Sequence, residues 1–318
     1  MTAKESLIKS FDKLRTNGNY LIPFVVSLSN HQQNRINQRL PKNLHGFTLV
    51  EMIVAIVITG IAAAMVGMFI RSPIQSYTDS VNRAELTDTA DTALRRMARD
   101  LHLAVPNSVQ VNVSGATSYL EFLQTRTGGR YRSEDDCPGG VCAGKDILSF
   151  DAADTSFEVL GEFPGSLPVA GDRVVIFNTG QAGADAYNGD NTSTVSAASA
   201  ATITFASKLF PFDSPSKHFQ VIETPVTYVC TPGAVDAVGN ATGTLTRYSG
   251  YAIRTPAASA PAGGTGATLL ANNVLACTIT QPEALPQPGY ALVTMRLVLT
   301  RNNESATLYH EAHVNNVP

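Results

Sequence analysis

The feature that most limits what this chain can become is an apolar run over residues 47–70, interrupted by one charge, Glu51. Its 24 residues make a helix of about 36 Å at roughly 1.5 Å per residue, longer than the hydrocarbon core of a bilayer at about 30 Å. The carboxylate is the anomaly. An ionised side chain in lipid costs on the order of 2.5–3.5 kcal/mol even on permissive scales, so Glu51 needs either the headgroup region or a positive partner.

The residues just upstream offer such a partner. The chain there is basic and polar and ends in Lys42-Asn43-Leu44-His45-Gly46. Cleavage after Gly46 would create an amine on Phe47, close enough in sequence to meet a nearby carboxylate. The competing reading is a plain membrane anchor with Glu51 at its edge.

The segment GFTLVEMIVAIVITGIAAAMVGMFI resembles the signal and first helix of type IV pilins and type II secretion pseudopilins. Gly46 matches the residue before the scissile bond, Phe47 the N-methylated first residue, and Glu51 the fifth residue of the mature chain. The resemblance implies a prepilin peptidase that cleaves and methylates on the cytoplasmic side, an inner-membrane assembly platform, and a filament built with other minor and major pilins. It also implies that Glu51 pairs with the Phe47 amine of a neighbouring subunit. Leu49, Val50, Ile53, Ile56, Val57 and Ile61 are then expected to pack in the filament core. Gly60, Ala62, Ala63, Ala64 and Gly67 are small enough to let helices approach closely.

Three further stretches, residues 69–77, 90–101 and 308–318, resemble the O-type branch of minor pilins in mannose-sensitive haemagglutinin (MSHA) pilus systems. A more distant likeness is to the J-type minor pseudopilins of type II secretion. These imply a single-pass inner-membrane protein with a periplasmic domain that later joins a surface pilus, with lipid as its partner before assembly. Roles in the initiating or tip complex, in a secretion pseudopilus, or as a tip adhesin all follow from this likeness.

Charge fits the topology. The 318 residues carry a net charge of −3, and removing residues 1–46 leaves 16 Lys/Arg and 24 Asp/Glu, a net of −8. A basic flank ahead of a membrane segment stays cytoplasmic, and an acidic product argues against nucleic acid as a partner. Residues 1–46 are expected to be a removed leader, long for the family. Their one apolar stretch, residues 20–28, is too short to span a bilayer and contains Pro23.

After the apolar run, Pro73 predicts a kink or restart, and apolar residues return at helical spacing over residues 71–105. This second half should lie against a soluble domain, with Arg95, Arg96 and Arg99 on its solvated side. Residues 106–318 then read as short β-branched and aromatic runs between turn residues. Strands are expected at 109–113, 119–124, 147–150, 157–160, 173–178, 201–205, 220–230, 245–253, 292–300 and 306–314. Pro225 inside one of them predicts an edge or a bulge, and Asn302-Asn303 predicts a hairpin turn. The fold class is therefore α+β: a long N-terminal helix packed on a mainly antiparallel sheet.

Four cysteines in an exported domain predict disulfides. Nearness in sequence favours Cys137 with Cys142 and Cys230 with Cys277, although three pairings are open. Residues 127–145, 180–194 and 255–273 read as loops. The second could hold calcium through Asp185, Asn188, Asp190 and Asn191, but it lacks the EF-hand pattern and reads better as a plain surface loop, so no cofactor or metal is expected. No GxSxG, HExxH or phosphate-binding glycine loop is present. His310 and His313 fall on opposite faces of a strand, so neither an enzyme nor a small-molecule substrate is expected.

Overall fold

The computed structural model describes residues 46–137, 142–262, 266–281 and 289–318. The leader, and residues 138–141 inside the short cysteine ring, lie outside the described residues. The chain divides into two compact units, one ending at Ala63 and one running over Ala64–Pro318.

One helix, α1 (Leu49–Leu101), contains the apolar run from Leu49 onward and carries on through Pro73. It does not restart there. The missing proline N–H removes one intrahelical bond, and helix formers on both sides keep the remainder. Thr59 satisfies its hydroxyl within the helix by donating to the Ala55 carbonyl at 2.8 Å, which a hydroxyl in an apolar segment must do.

Burial along α1 begins late. Leu86, Ala90, Ala93, Leu94, Met97, Ala98 and Leu101 are buried, one stripe at the helical period. Tyr77 and Val81, which share the periodicity, stay exposed. The docked part is thus shorter than the apolar spacing predicts.

Among the described residues eleven antiparallel strands follow: β1 (Gln110–Ser114), β2 (Thr117–Tyr131), β3 (Asp154–Leu160), β4 (Arg173–Ile176), β5 (Thr192–Ala198), β6 (Thr202–Lys208), β7 (His218–Thr231), β8 (Gly243–Tyr248), β9 (Thr268–Thr280), β10 (Tyr290–Arg301) and β11 (Glu304–Asn315). The order β1-β2-β7-β8-β9-β10-β11 forms the sheet that the helix packs on. Between β2 and β7 the chain makes four more strands. β2 pairs β3 at Arg130 and Tyr131, β3 pairs β6, β6 pairs β5, β5 pairs β4, and β4 pairs β7, which itself pairs β2. The ladder returns to its starting strand, so β2, β3, β6, β5, β4 and β7 close a small barrel.

The barrel interior is filled with side chains, as in other small barrels. Tyr131, Phe157, Phe205, Phe210 and Phe219 are buried there with Val174, Ile176, Val195, Ile203 and Val221. The Phe157 ring meets Phe219 edge-on at 5.1 Å between centroids, a favoured aromatic geometry. The core under the helix is mostly aliphatic, with Phe122 and Tyr228 its large rings.

Several strands differ from expectation. Residues 147–150 form no strand. They pass as a loop whose Leu148 and Phe150 pack into the barrel core, which explains their apolarity. The start of β5, residues 192–194, and the start of β9, residues 268–273, lie where loops were expected, because Ser, Thr and Asn there break the apolar alternation. β2 runs to Tyr131, so the excursion expected from residue 127 starts later. Pro225 sits in β7 where the opposite edge passes from β4, paired at residues 219–222, to β8, paired at residues 227–231. No ladder bond is asked of it on that side, and the β2 register shifts beside it. The β10–β11 turn has Asn302 and Asn303 both at positive φ, 53° and 64°, as a two-residue type I′ hairpin requires.

Candidate functional site

The expected processing segment is exposed throughout. Thr48 closes the start of α1: its Oγ1 accepts the Glu51 N–H at 3.2 Å and its carbonyl accepts the Met52 N–H at 3.1 Å. Thr48-Leu49-Val50-Glu51 has the Thr-x-x-Glu spacing of a capping box, and the acidic side chain falls in the first turn, where the helix dipole favours it. Thr48 is the residue that sequence reading passed over, and this spacing was the signal. Among the described residues no cation pairs with Glu51.

Phe47, Leu49, Val50, Ile53, Ile56, Val57 and Ile61 are all exposed, Phe47 by 82%. A Cβ added to Gly46, Gly60 or Gly67 would meet nothing within 4 Å. The described structure therefore makes no steric demand for glycine at these positions. The helix is long and apolar enough to cross a membrane.

Farther along, α1 is fastened to the sheet by polar contacts at both ends of its buried stripe. At the hairpin end Arg83 pairs with Glu304, and Arg301 pairs with Glu85 while also donating to Asn82 Oδ1 at 3.1 Å. At the other end Asp100, 9% exposed, accepts the Tyr228 hydroxyl at 2.7 Å and Arg247 Nε at 2.8 Å. Burial and the adjoining Asp100 push the Tyr228 hydroxyl pKa upward. Burial is the largest single influence on Arg247 and works against its charge, but the hydrogen bond and charge of Asp100 together with Tyr228 raise its pKa. Arg95 reaches Asp91 at 2.6 Å on the exposed side.

The far face of the sheet is covered by the segment after β8. There Glu121 is buried and accepts Arg254 Nη2 at 3.0 Å and the Thr227 hydroxyl at 3.1 Å, with Tyr251 against Thr227. Burial pushes the Glu121 carboxyl up, against the pull of Arg254.

Disulfides join Cys137 to Cys142 and Cys230 to Cys277, with Cα separations of 5.2 and 6.5 Å. The second ties β7 to β9 beneath Leu94 and Met97. In the 180–194 loop the carboxylates are consumed locally. Asp190 Oδ2 accepts the Gly183 and Asp185 N–H groups, and Asp185 Oδ1 accepts Tyr187 N–H. Among the described residues no group of three or more His, Cys, Asp or Glu side chains is placed to hold a metal ion. His310 is half-buried and His313 exposed on β11.

Residues 41–67 match the family model described as the prokaryotic N-terminal methylation motif. No curated protein and no solved structure matches the chain. An apolar N-terminal helix ahead of a globular domain fits a single-pass membrane protein with a periplasmic domain. The chain thus carries a prepilin-type N-terminal methylation motif at the head of a pilin-like α+β fold, as structural proteins of the type IV pilus superfamily do.

Proposed function

We propose that this chain is a minor pilin of an MSHA-like type IV pilus, cleaved after Gly46, methylated on Phe47, and placed in the initiating or tip complex. The observation that carries the reading is the exposed apolar helix that begins within a prepilin-type motif and bears one carboxylate, Glu51, with no cation beside it among the described residues. Before assembly lipid covers residues 47–70. After extraction the same surface is covered by neighbouring helices, with Gly60 and Gly67 allowing close approach.

Glu51 gives this packing its register. A carboxylate and an amine buried together neutralise each other only when both are correctly placed, and a misplaced pair leaves a charge in an apolar core at a cost of several kcal/mol. The Phe47 amine of an adjacent subunit is the partner this reading assigns. Prepilin peptidase, the inner-membrane platform and the other pilins are the expected partners.

The inserted barrel supports a place at the tip, because it widens the β domain beyond what the helix needs for docking. It also supports a second reading, in which the barrel presents a ligand-binding surface as a tip adhesin does. A minor pseudopilin of type II secretion would use the same helix and charge pair. The test is to shear filaments from cells and quantify both pili and this chain, comparing wild type with Glu51→Ala. The reading predicts fewer filaments and loss of the variant from them. Wild-type counts and incorporation would contradict it.

A further inference from the structure

The chain treats its strand edges unequally. Exposed edges offer unpaired N–H and C=O groups to any passing strand, and proteins ordinarily shorten, bend or close them. The inserted strands are protected by ring closure, which leaves no edge. At one end of the main sheet β1 has five residues and a tight turn at Gly115. At the other end β11 has 12 residues, paired to β10 without a register break over its full length.

The direction of the free groups follows from the hairpin. A two-residue turn makes Arg301 and Glu304 a hydrogen-bonded pair, and bonding alternates from there. Glu304, Ala306, Leu308, His310, Ala312 and Val314 therefore turn their backbone groups to β10. Ser305, Thr307, Tyr309, Glu311, His313 and Asn315 turn theirs outward. Side chains of the outward set are exposed, whereas Ala306, Ala312 and Val314 are buried and Leu308 and His310 are half-buried. Along the inner row, cover is incomplete at Leu308 and His310.

We propose that β11 is a docking edge for an extended segment of an adjacent filament subunit, which adds as the next strand of the sheet. This rests on the filament reading above. The backbone row specifies a β-strand as occupant. Half-buried Leu308 asks for an apolar residue on the occupant's inner face, and half-buried His310 for a hydrogen-bonding one beside it. Glu311, which makes no ion pair among the described residues, asks for a basic residue opposite it on the outer face.

The edge can be closed without touching the fold. Proline at Thr307 or Glu311 removes an N–H that points outward, so no native ladder bond is lost. Cells building filaments would carry full-length Thr307→Pro, Glu311→Pro, or the milder Thr307→Lys, and incorporation into sheared filaments would be measured beside the melting temperature of each purified chain. We expect melting within a few degrees of wild type and incorporation reduced about tenfold or more. A photoactivatable benzoyl-phenylalanine in place of Tyr309 should give adducts mapping to an extended segment of another subunit.

Folded edge variants that enter filaments at wild-type levels would overturn the inference while leaving the filament reading intact. So would adducts that map to helical residues of the partner. If a proline variant melts early, the lysine variant decides. A wild-type chain absent from filaments would remove both the filament reading and the docking edge.

Discussion

Two stretches of one helix, residues 49–70 and residues 86–101, are both rich in apolar side chains and end in opposite circumstances. Ile56 is 63% exposed and Leu94 is 3% exposed. The docked stretch carries its apolar residues on one stripe with Arg95, Arg96 and Arg99 outside it, so one covering sheet suffices. The other is apolar all round, and no single sheet face could cover it. What must cover it surrounds it, and the proposed function assigns that cover to lipid before assembly and to a bundle of like helices after it. In the proposed filament Glu51 gains what the described residues do not give it, a cation brought by a neighbour.

The comparison can be broken by asking each stretch to bear on stability. Leu94→Ala should lower the unfolding free energy of the detergent-solubilised chain by about 2–5 kcal/mol, whereas Ile56→Ala should change it by about 0.5 kcal/mol or less; chemical denaturation followed by far-UV circular dichroism reads both. Equal losses would mean that residues 49–70 are held by the domain.

The disulfides sharpen the same contrast within the domain. Cys230–Cys277 closes a loop with a sequence separation of 47 beneath the docked stretch, and Cys137–Cys142 one of 5. Replacing the first pair by Ser should cost about 2–4 kcal/mol, and the second about 2 kcal/mol or less, on the loop-entropy account. A thermal melt of each double variant under oxidising conditions gives the order.

Smaller effects come from the polar fastenings. Tyr228→Phe removes the hydroxyl bond to buried Asp100 and should cost about 1 kcal/mol, visible as a lower denaturant midpoint with an unchanged slope. The smallest is a pH effect at Glu121. Its folded carboxyl pKa is raised by burial, so its favourable contribution is present below the ordinary carboxylate range and is lost as pH rises through the folded value. Glu121→Gln should therefore melt progressively better relative to wild type between pH 4 and pH 7. The reverse trend would mean that Arg254 outweighs burial there.

How much of this could be read in advance follows from where information sits in the chain. The apolar run, its lone charge and the Gly46-Phe47 junction are local, and so is the Asn302-Asn303 turn. Thr48 is equally local, since Glu51 is both the lone charge and the third helical residue after it. The barrel was not legible, because it depends on β2 and β7 finding each other across the four inserted strands. Its strand β5, Thr-Ser-Thr-Val-Ser-Ala-Ala, carries almost no apolar alternation. Conversely, the apolar residues 147–150 imitate a strand while serving as a loop that plugs the barrel core. Pro225 signals a disturbance locally, whereas its place where β4 gives way to β8 is a property of the whole sheet.

The central claim is that Glu51 acts on an amine that processing creates. The most direct measurement is the intact mass and N-terminal sequence of the chain purified from cells that make the prepilin peptidase. Removal of 46 of the 318 residues should leave a 272-residue protein beginning at Phe47, with one methyl group on its amine. A mature chain that retains Gly46 and the residues before it would leave Glu51 without its partner and would contradict the account.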